Sequence, residues 1–251
     1  MDVYRRLLDA FGPQHWWPGD GGPFEVCVGA ILTQSAAWTN VEKALARLKE
    51  AGLLSPQALD RAPQAEVAAL VYSSGYFNAK ARKLKAFAER LCESHGGDIH
   101  RLLARPADEL RTELLGIHGI GEETADDMLL YAAGQPSFVV DAYTRRIFSR
   151  LGVDPNTARP EPTAVHPEPT LALPEPVDGR HKSPGKAPRQ PQLDSYEAWR
   201  ALFMEALPQN AALFNEYHAL LVALGKSVCL KRAPRCGECP LRTMCAVGRA
   251  S

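Results

Sequence analysis

The chain has 251 residues, 45% of them hydrophobic and 23% charged, with a formal net charge of zero and a pI of about 7.0. A chain of this size buries one large core or two modest ones, and no global basic field marks it as a nucleic-acid binder, so any such contact must come from local patches. No apolar run approaches a membrane span, and Met1-Asp2-Val3-Tyr4-Arg5-Arg6 lacks the apolar stretch of a secretory signal, so a reducing, cytoplasmic setting is expected, where thiols bind metal rather than form disulfides.

Residues 1–150 read as successive short helices. Val26, Val28, Ile31 and Leu32 predict a buried helix ending near Thr33-Gln34-Ser35. Val41, Ala44, Leu45 and Leu48 repeat at helical spacing and stop before Gly52; Leu84, Phe87, Ala88 and Leu91 do so before Gly96-Gly97. Pro56, Pro63 and Pro106 are expected just inside helix starts, where a missing N–H is tolerated. Cys27 and Cys92 read as buried core thiols. Lys80, Arg82, Lys83 and Lys85 form a basic group, either a solvated helix face or a contact for phosphates.

In Leu114–Ala125, Gly119 and Gly121 bracket one apolar residue between two helical stretches. Either this is a plain tight turn, or the glycines take φ > 0 and let backbone amides approach a phosphate. Asp141, ahead of Ala142-Tyr143-Thr144-Arg145, is a favoured helix N-cap. Ten of the 20 prolines fall in residues 155–191, with few large apolar side chains, so this stretch is expected to be a disordered insertion. Helical pattern resumes at Tyr196 and runs to Leu224-Gly225. No alternating run predicts a strand, and the fold class is all-α. Near the end, Cys229, Cys236, Cys239 and Cys245 follow a C-x6-C-x2-C-x5-C spacing with Pro234 and Pro240 between them, a cage for a metal centre.

The hairpin, Val139-Val140-Asp141 and the cysteine tail together resemble the helix-hairpin-helix DNA glycosylases of the endonuclease III type. Gly75-Tyr76-Phe77-Asn78-Ala79-Lys80-Ala81 and Ile31-Leu32-Thr33-Gln34 match segments of that family too. The resemblance implies two helical domains with double-stranded, lesion-bearing DNA in the cleft between them. One is a six-helix domain (23–135) carrying the hairpin; the other is built from 1–22 and 136–251 and ends in a [4Fe–4S] loop (229–245). It implies a flipped base, a monomer, and a cytoplasmic, nucleoid-associated enzyme of base excision repair. The four cysteines admit zinc as well, but zinc sites usually pair two short knuckles and only Cys236/Cys239 is one, so iron–sulfur is preferred.

Bifunctional members carry a lysine two residues after the last hairpin glycine; this chain has Glu123 there. A carboxylate cannot form the imine that permits strand cleavage. Glu123 and Ala37-Trp38-Thr39-Asn40 instead resemble the monofunctional type III 3-methyladenine DNA glycosylases, although those relatives typically lack the cluster. The expected catalytic group is then Asp141, stabilising positive charge on the sugar and positioning water. Glu123 and Trp38 are expected in the base pocket, with Trp16 and Trp17 as further stacking candidates. Glu122 and Glu123 can equally serve the helix dipole. Gln34, Tyr76, His118, Gly119 and Gly121, together with Lys231, Arg232 and Arg235 on the cluster loop, are the expected DNA contacts. Two alternatives remain: a glycosylase and lyase acting on oxidised pyrimidines through another lysine such as Lys80, or a protein that binds lesions or abasic sites without turnover.

Overall fold

The computed structural model describes residues 1–16, 21–156 and 195–250. Trp17 and most of the Pro-rich stretch lie outside them. The described residues are helical with no strand among them, as the all-α reading requires. In chain order the helices are α1 (Asp2–Phe11), α2 (Gly22–Thr33), α3 (Trp38–Glu50), α4 (Pro56–Arg61), α5 (Gln64–Leu70), α6 (Phe77–His95), α7 (Ile99–Leu103), α8 (Ala107–Leu115), α9 (Glu122–Asp127), α10 (Ala142–Leu151), α11 (Tyr196–Ala206), α12 (Ala211–Ser227) and α13 (Ala246–Arg249). α9 runs directly into one π-helical turn, Met128–Ala132.

Local chemistry sets the boundaries. Ser55 accepts the Ala58 N–H at 3.3 Å to start α4, with Pro56 at its first position. Pro63 and Pro106 instead occupy the capping position just before α5 and α8; a proline there likewise leaves the intrahelical ladder intact. α6 ends at Gly96 (φ 65°), where the amides of Gly96 and Gly97 reach back to the carbonyls of Cys92 and Leu91.

Two buried apolar clusters result. The first gathers α2 to α9, with Leu48, Leu84, Phe87 and Leu91 fully buried. The second gathers α1 and α10 to α12 around Phe138, Phe203, Phe214 and Leu220. Each large side chain so buried contributes roughly 1.5–3 kcal/mol. The π turn stands on the border: Met128 and Leu129 belong to the first cluster, Leu130 and Tyr131 to the second. α2 is buried nearly all round, and its Val26 also reaches the second cluster. A buried ion network ties the two sides together. Asp126 of α9, with no exposed surface, accepts two bonds from Arg111 of α8 at 3.0 and 3.1 Å, and Arg200 of α11 lies 3.2 Å away.

The basic group on α6 departs from expectation. Lys80 is buried, and its Nζ donates to the carbonyls of Leu32 (2.8 Å) and Ser74. Burial, and then the neighbouring Lys83, lower its pKa to about 8. Lys85 donates to the carbonyls of Asp60 and Ala62 at the end of α4, and Lys83 to Gln34. These amines satisfy oxygens at helix ends, leaving Arg82 as the exposed member. Cys27 is buried as expected, whereas Cys92 is half-buried.

Candidate active site

Asp141, Glu123 and Trp38, far apart in sequence, line one cavity of about 820 Å³ open to solvent. Its walls are the turn from α2 to α3, the inner face of α9 and the π turn, the start of α10, and α12. Asp141 caps α10, its Oδ1 accepting the Thr144 N–H at 2.7 Å, so the capping role and the cleft position coexist. Its Oδ2 lies 3.6 Å from His218 Nε2, longer than an ordinary hydrogen bond.

The carboxyls in this cavity are driven in opposite directions. Burial pushes Asp141 up, but His218 and the Thr144 amide outweigh it and leave its pKa below the ordinary value. Glu123 is raised, by desolvation between the cleft walls and then by Asp141. Asp127 is raised well above the ordinary value, by burial first and then by Glu123, Asp141 and Asp126. The environment therefore favours the ionised form of the carboxyl at the start of α10 and disfavours it for the carboxyls on α9, the kind of separation that acid–base sites use.

Sequence reasoning missed Asp127, Tyr131 and His218. Glu123, Asp127 and Tyr131 recur every four residues, a spacing that places them on one helical face, and that signal was available. His218 had none: it reaches the site only because α12 packs against the π turn, where its Nδ1 lies 2.5 Å from the Tyr131 hydroxyl. Trp16 leans on the same pair, its ring centroid 5.9 Å from that of Tyr131 and 5.5 Å from that of His218.

A second cavity of about 610 Å³ adjoins the first, sharing Ser35 and Glu123, and is lined by Gln34, Lys83, Gly119, Gly121 and Arg145 among others. Gln34 donates to the Gly119 carbonyl (3.1 Å) and to Thr124 Oγ1 (2.9 Å), pinning the α2–α3 turn to the hairpin. Gly119 takes φ +85°, and a Cβ there would strike the Lys83 side chain at 2.3 Å. Gly121 does not need φ > 0, since its φ is −96°; a Cβ there would meet nothing within 4 Å. Tyr76 precedes α6 in the left-handed region (φ 45°) and is 76% exposed. His118 is exposed as well, and neither residue lines the two cavities.

The four tail cysteines line one small, separate cavity, bounded also by Arg150, Val228 and Gly248. Burial raises the Cys239 thiol, and the other three cysteines add to the effect. Arg150 donates to Cys229 Sγ at 3.1 Å and the Gly248 N–H to Cys245 Sγ at 3.4 Å. Arg146 and Arg150 of α10 fasten the loop by its carbonyls at Cys229 and Leu230. Among the described residues no group of three or more His, Cys, Asp or Glu side chains stands in metal-ligating geometry. The shared cavity and the all-thiol donor set nevertheless fit an iron–sulfur cluster. Lys231, Arg232 and Arg235 project into solvent from this loop.

Residues 28–167 match the model of the HhH-GPD superfamily base excision DNA repair proteins. A Methanocaldococcus jannaschii protein named as a putative DNA repair glycosylase is 36% identical over 97% of this chain and 94% of its own length. Endonuclease III of Thermotoga maritima is 28% identical over 97% of this chain and 91% of its own. Two solved structures share the fold: an endonuclease III in non-covalent complex with DNA (TM-score 0.73, 22% identity, 99% and 94% of the two chains), and a 3-methyladenine DNA glycosylase of H. pylori bound to 1,N6-ethenoadenine (TM-score 0.66, 21% identity, 90% and 96%). The chain belongs to the HhH-GPD superfamily and is a base excision DNA glycosylase of that type.

Proposed function

We propose that the chain is a monofunctional DNA glycosylase that hydrolyses the N-glycosidic bond of alkylated purines, of the 3-methyladenine type, flipped out of double-stranded DNA. The observation that carries this is Glu123, which occupies the position of the family's lysine and lines the same cavity as Asp141. In this reading the C1′–N bond breaks and the electron pair leaves with the base. The alkylated purine is cationic before cleavage, departs neutral, and needs no proton from the protein. Asp141 stabilises the positive sugar, and water adds to C1′ and loses a proton to the carboxylate or to solvent. Trp38 and Trp16 offer ring faces to the cationic base. Gln34, Tyr76, His118 and the Gly119–Gly121 turn meet the strand, with Lys231, Arg232 and Arg235 on phosphates. Cys229, Cys236, Cys239 and Cys245 would hold a [4Fe–4S] cluster, whose part is to stiffen the loop that presents those cations. We read the two apolar clusters as the cores of a division into 23–135 and 1–22 with 136–251, with Val26, Leu130 and Tyr131 of the first part packed into the second core.

One observation favours a second reading. Lys226 of α12 lines the same cavity as Asp141, whereas Lys80 is buried elsewhere, so an amine for a lyase would be Lys226. The test is a release assay on alkylated, oxidised and deaminated duplexes. Free alkylpurine with strands intact until alkali supports the first reading. Strand cleavage without alkali supports the second. Tight binding to an abasic analogue with no release from any duplex marks a binding protein instead.

A further inference from the structure

His218 is a buried histidine, 4% exposed, whose Nε2 has no hydrogen-bond partner. A buried unpaired polar atom is costly unless a task keeps it. Its ring is fixed at the other nitrogen, since the Tyr131 hydroxyl sits 2.5 Å from Nδ1. Tyr131 itself sits in the π turn, where the helix widens by one residue, an irregularity common at functional positions. Burial, then Asp127 and Asp141, raise the phenol well above its ordinary value, so it retains its proton.

We propose that Tyr131 and His218 form a hydrogen-bonded relay ending on Asp141. The phenol O–H donates to Nδ1, which fixes the ring hydrogen on Nε2, and that N–H holds the Asp141 carboxylate in the orientation needed at the sugar. The inference rests on the reading of Asp141 as the group that acts on C1′. His218 and Tyr131 are positioning residues in it, since both act through Asp141. The two ring nitrogens of a histidine are distinct, and the bond at one decides the hydrogen at the other. The 3.6 Å from Nε2 to Oδ2 closes to a hydrogen bond with a movement of about 0.5 Å, and catalytic contacts commonly tighten only when substrate is bound. Because Thr144 N–H holds Oδ1 while Nε2–H addresses Oδ2, the carboxylate is oriented at both oxygens. One anchor comes from α10 and the other from α12.

The surroundings make the pairing selective. Toward His218 come Asp141 from the start of α10, Tyr131 from the π turn, Glu123 from α9 through its charge, and the Trp16 ring from the segment after α1. Asp127, Arg146 and Lys226 line the same cavity, and Arg145 acts on Glu123. Of the three carboxyls here, Asp141 stands 3.6 Å from the ring at Nε2.

The experiment follows the Asp141 carboxyl by carbon NMR in the free protein, in the parent, His218→Gln and Tyr131→Phe. It is paired with single-turnover base release from a methylated duplex between pH 4 and 8. With the relay, the Asp141 midpoint rises in His218→Gln by about one pH unit, a tenfold change in its ionisation equilibrium. The acid limb of the release rate moves up with it. Tyr131→Phe, which keeps the ring and its packing, moves both in the same direction by less. An unchanged midpoint in both variants overturns the relay, as does a rate that falls equally at every pH. A midpoint that moves in the variants while the parent releases no alkylpurine keeps the relay and refutes the substrate reading instead.

Discussion

Asp141→Asn separates the two roles that Asp141 combines. Asparagine caps helices as well as aspartate, so its amide oxygen still accepts the Thr144 N–H. Asp141→Ala loses that bond, at a cost of about 1 kcal/mol, and its melting temperature falls by roughly 2–4 °C for a domain of this size. Asp141→Asn keeps the cap but loses the stabilised charge. The folded pKa of Asp141 lies below its ordinary value, so the charge contributes stability above the unfolded carboxyl range and loses it as pH falls through the folded midpoint. The melting deficit of Asp141→Asn therefore shrinks on acidification, whereas that of Asp141→Ala does not vanish. For base release both variants fall by about 10²–10³-fold, the loss expected when a preorganised electrostatic group leaves a transition state. The assays are calorimetry from pH 3 to 8 and single-turnover release from a methylated duplex. If Asp141→Asn releases base at the parent's rate while Asp141→Ala merely melts earlier, Asp141 is a cap and nothing more.

Asp127 behaves oppositely: its raised folded pKa makes the ionised form unfavourable, so Asp127→Asn should stabilise the protein increasingly as pH rises above the unfolded carboxyl range, and a gain that peaks in acid would refute that. Asp126→Asn leaves Arg111 and Arg200 without their buried partner; a loss of about 3 kcal/mol in urea unfolding is expected, and an unchanged midpoint would show the network to be ornamental. Gly119→Ala meets both positive φ and Lys83 and should cost at least about 1 kcal/mol. Gly121→Ala should leave stability untouched and weaken DNA binding alone, as measured by fluorescence anisotropy. Cys239→Ser should lower the iron content of the purified protein and its affinity for duplex together; equal iron in variant and parent would reject the cluster.

What the sequence made legible follows from periodicity and spacing. α3 and α6 are amphipathic over three turns or more, and their buried positions, Val41 to Leu48 and Leu84 to Leu91, are the repeating residues themselves. The cysteine spacing marked its cavity without help from tertiary structure. Other features depend on packing that no local pattern encodes. Lys80 reads as surface charge because its neighbours are basic, yet the unpaired carbonyl of Leu32 near the end of α2 draws its amine inward. Gly121 looks like Gly119 in sequence, but only Gly119 turns the chain through positive φ. His218 looks like a core residue of α12, and its meeting with Asp141 exists only once α10 and α12 close together. That closeness is possible because Gly225 lacks a Cβ, which would meet the Tyr143 ring at 2.3 Å.

The central claim is hydrolysis by a carboxylate with no amine joined to the sugar. Borohydride trapping during turnover on a methylated duplex tests it most directly, in the parent and in Lys226→Gln. The account predicts free alkylpurine, intact strands and no covalent protein–DNA adduct from either protein. An adduct formed by the parent and lost in Lys226→Gln would contradict it and assign the chemistry to that amine.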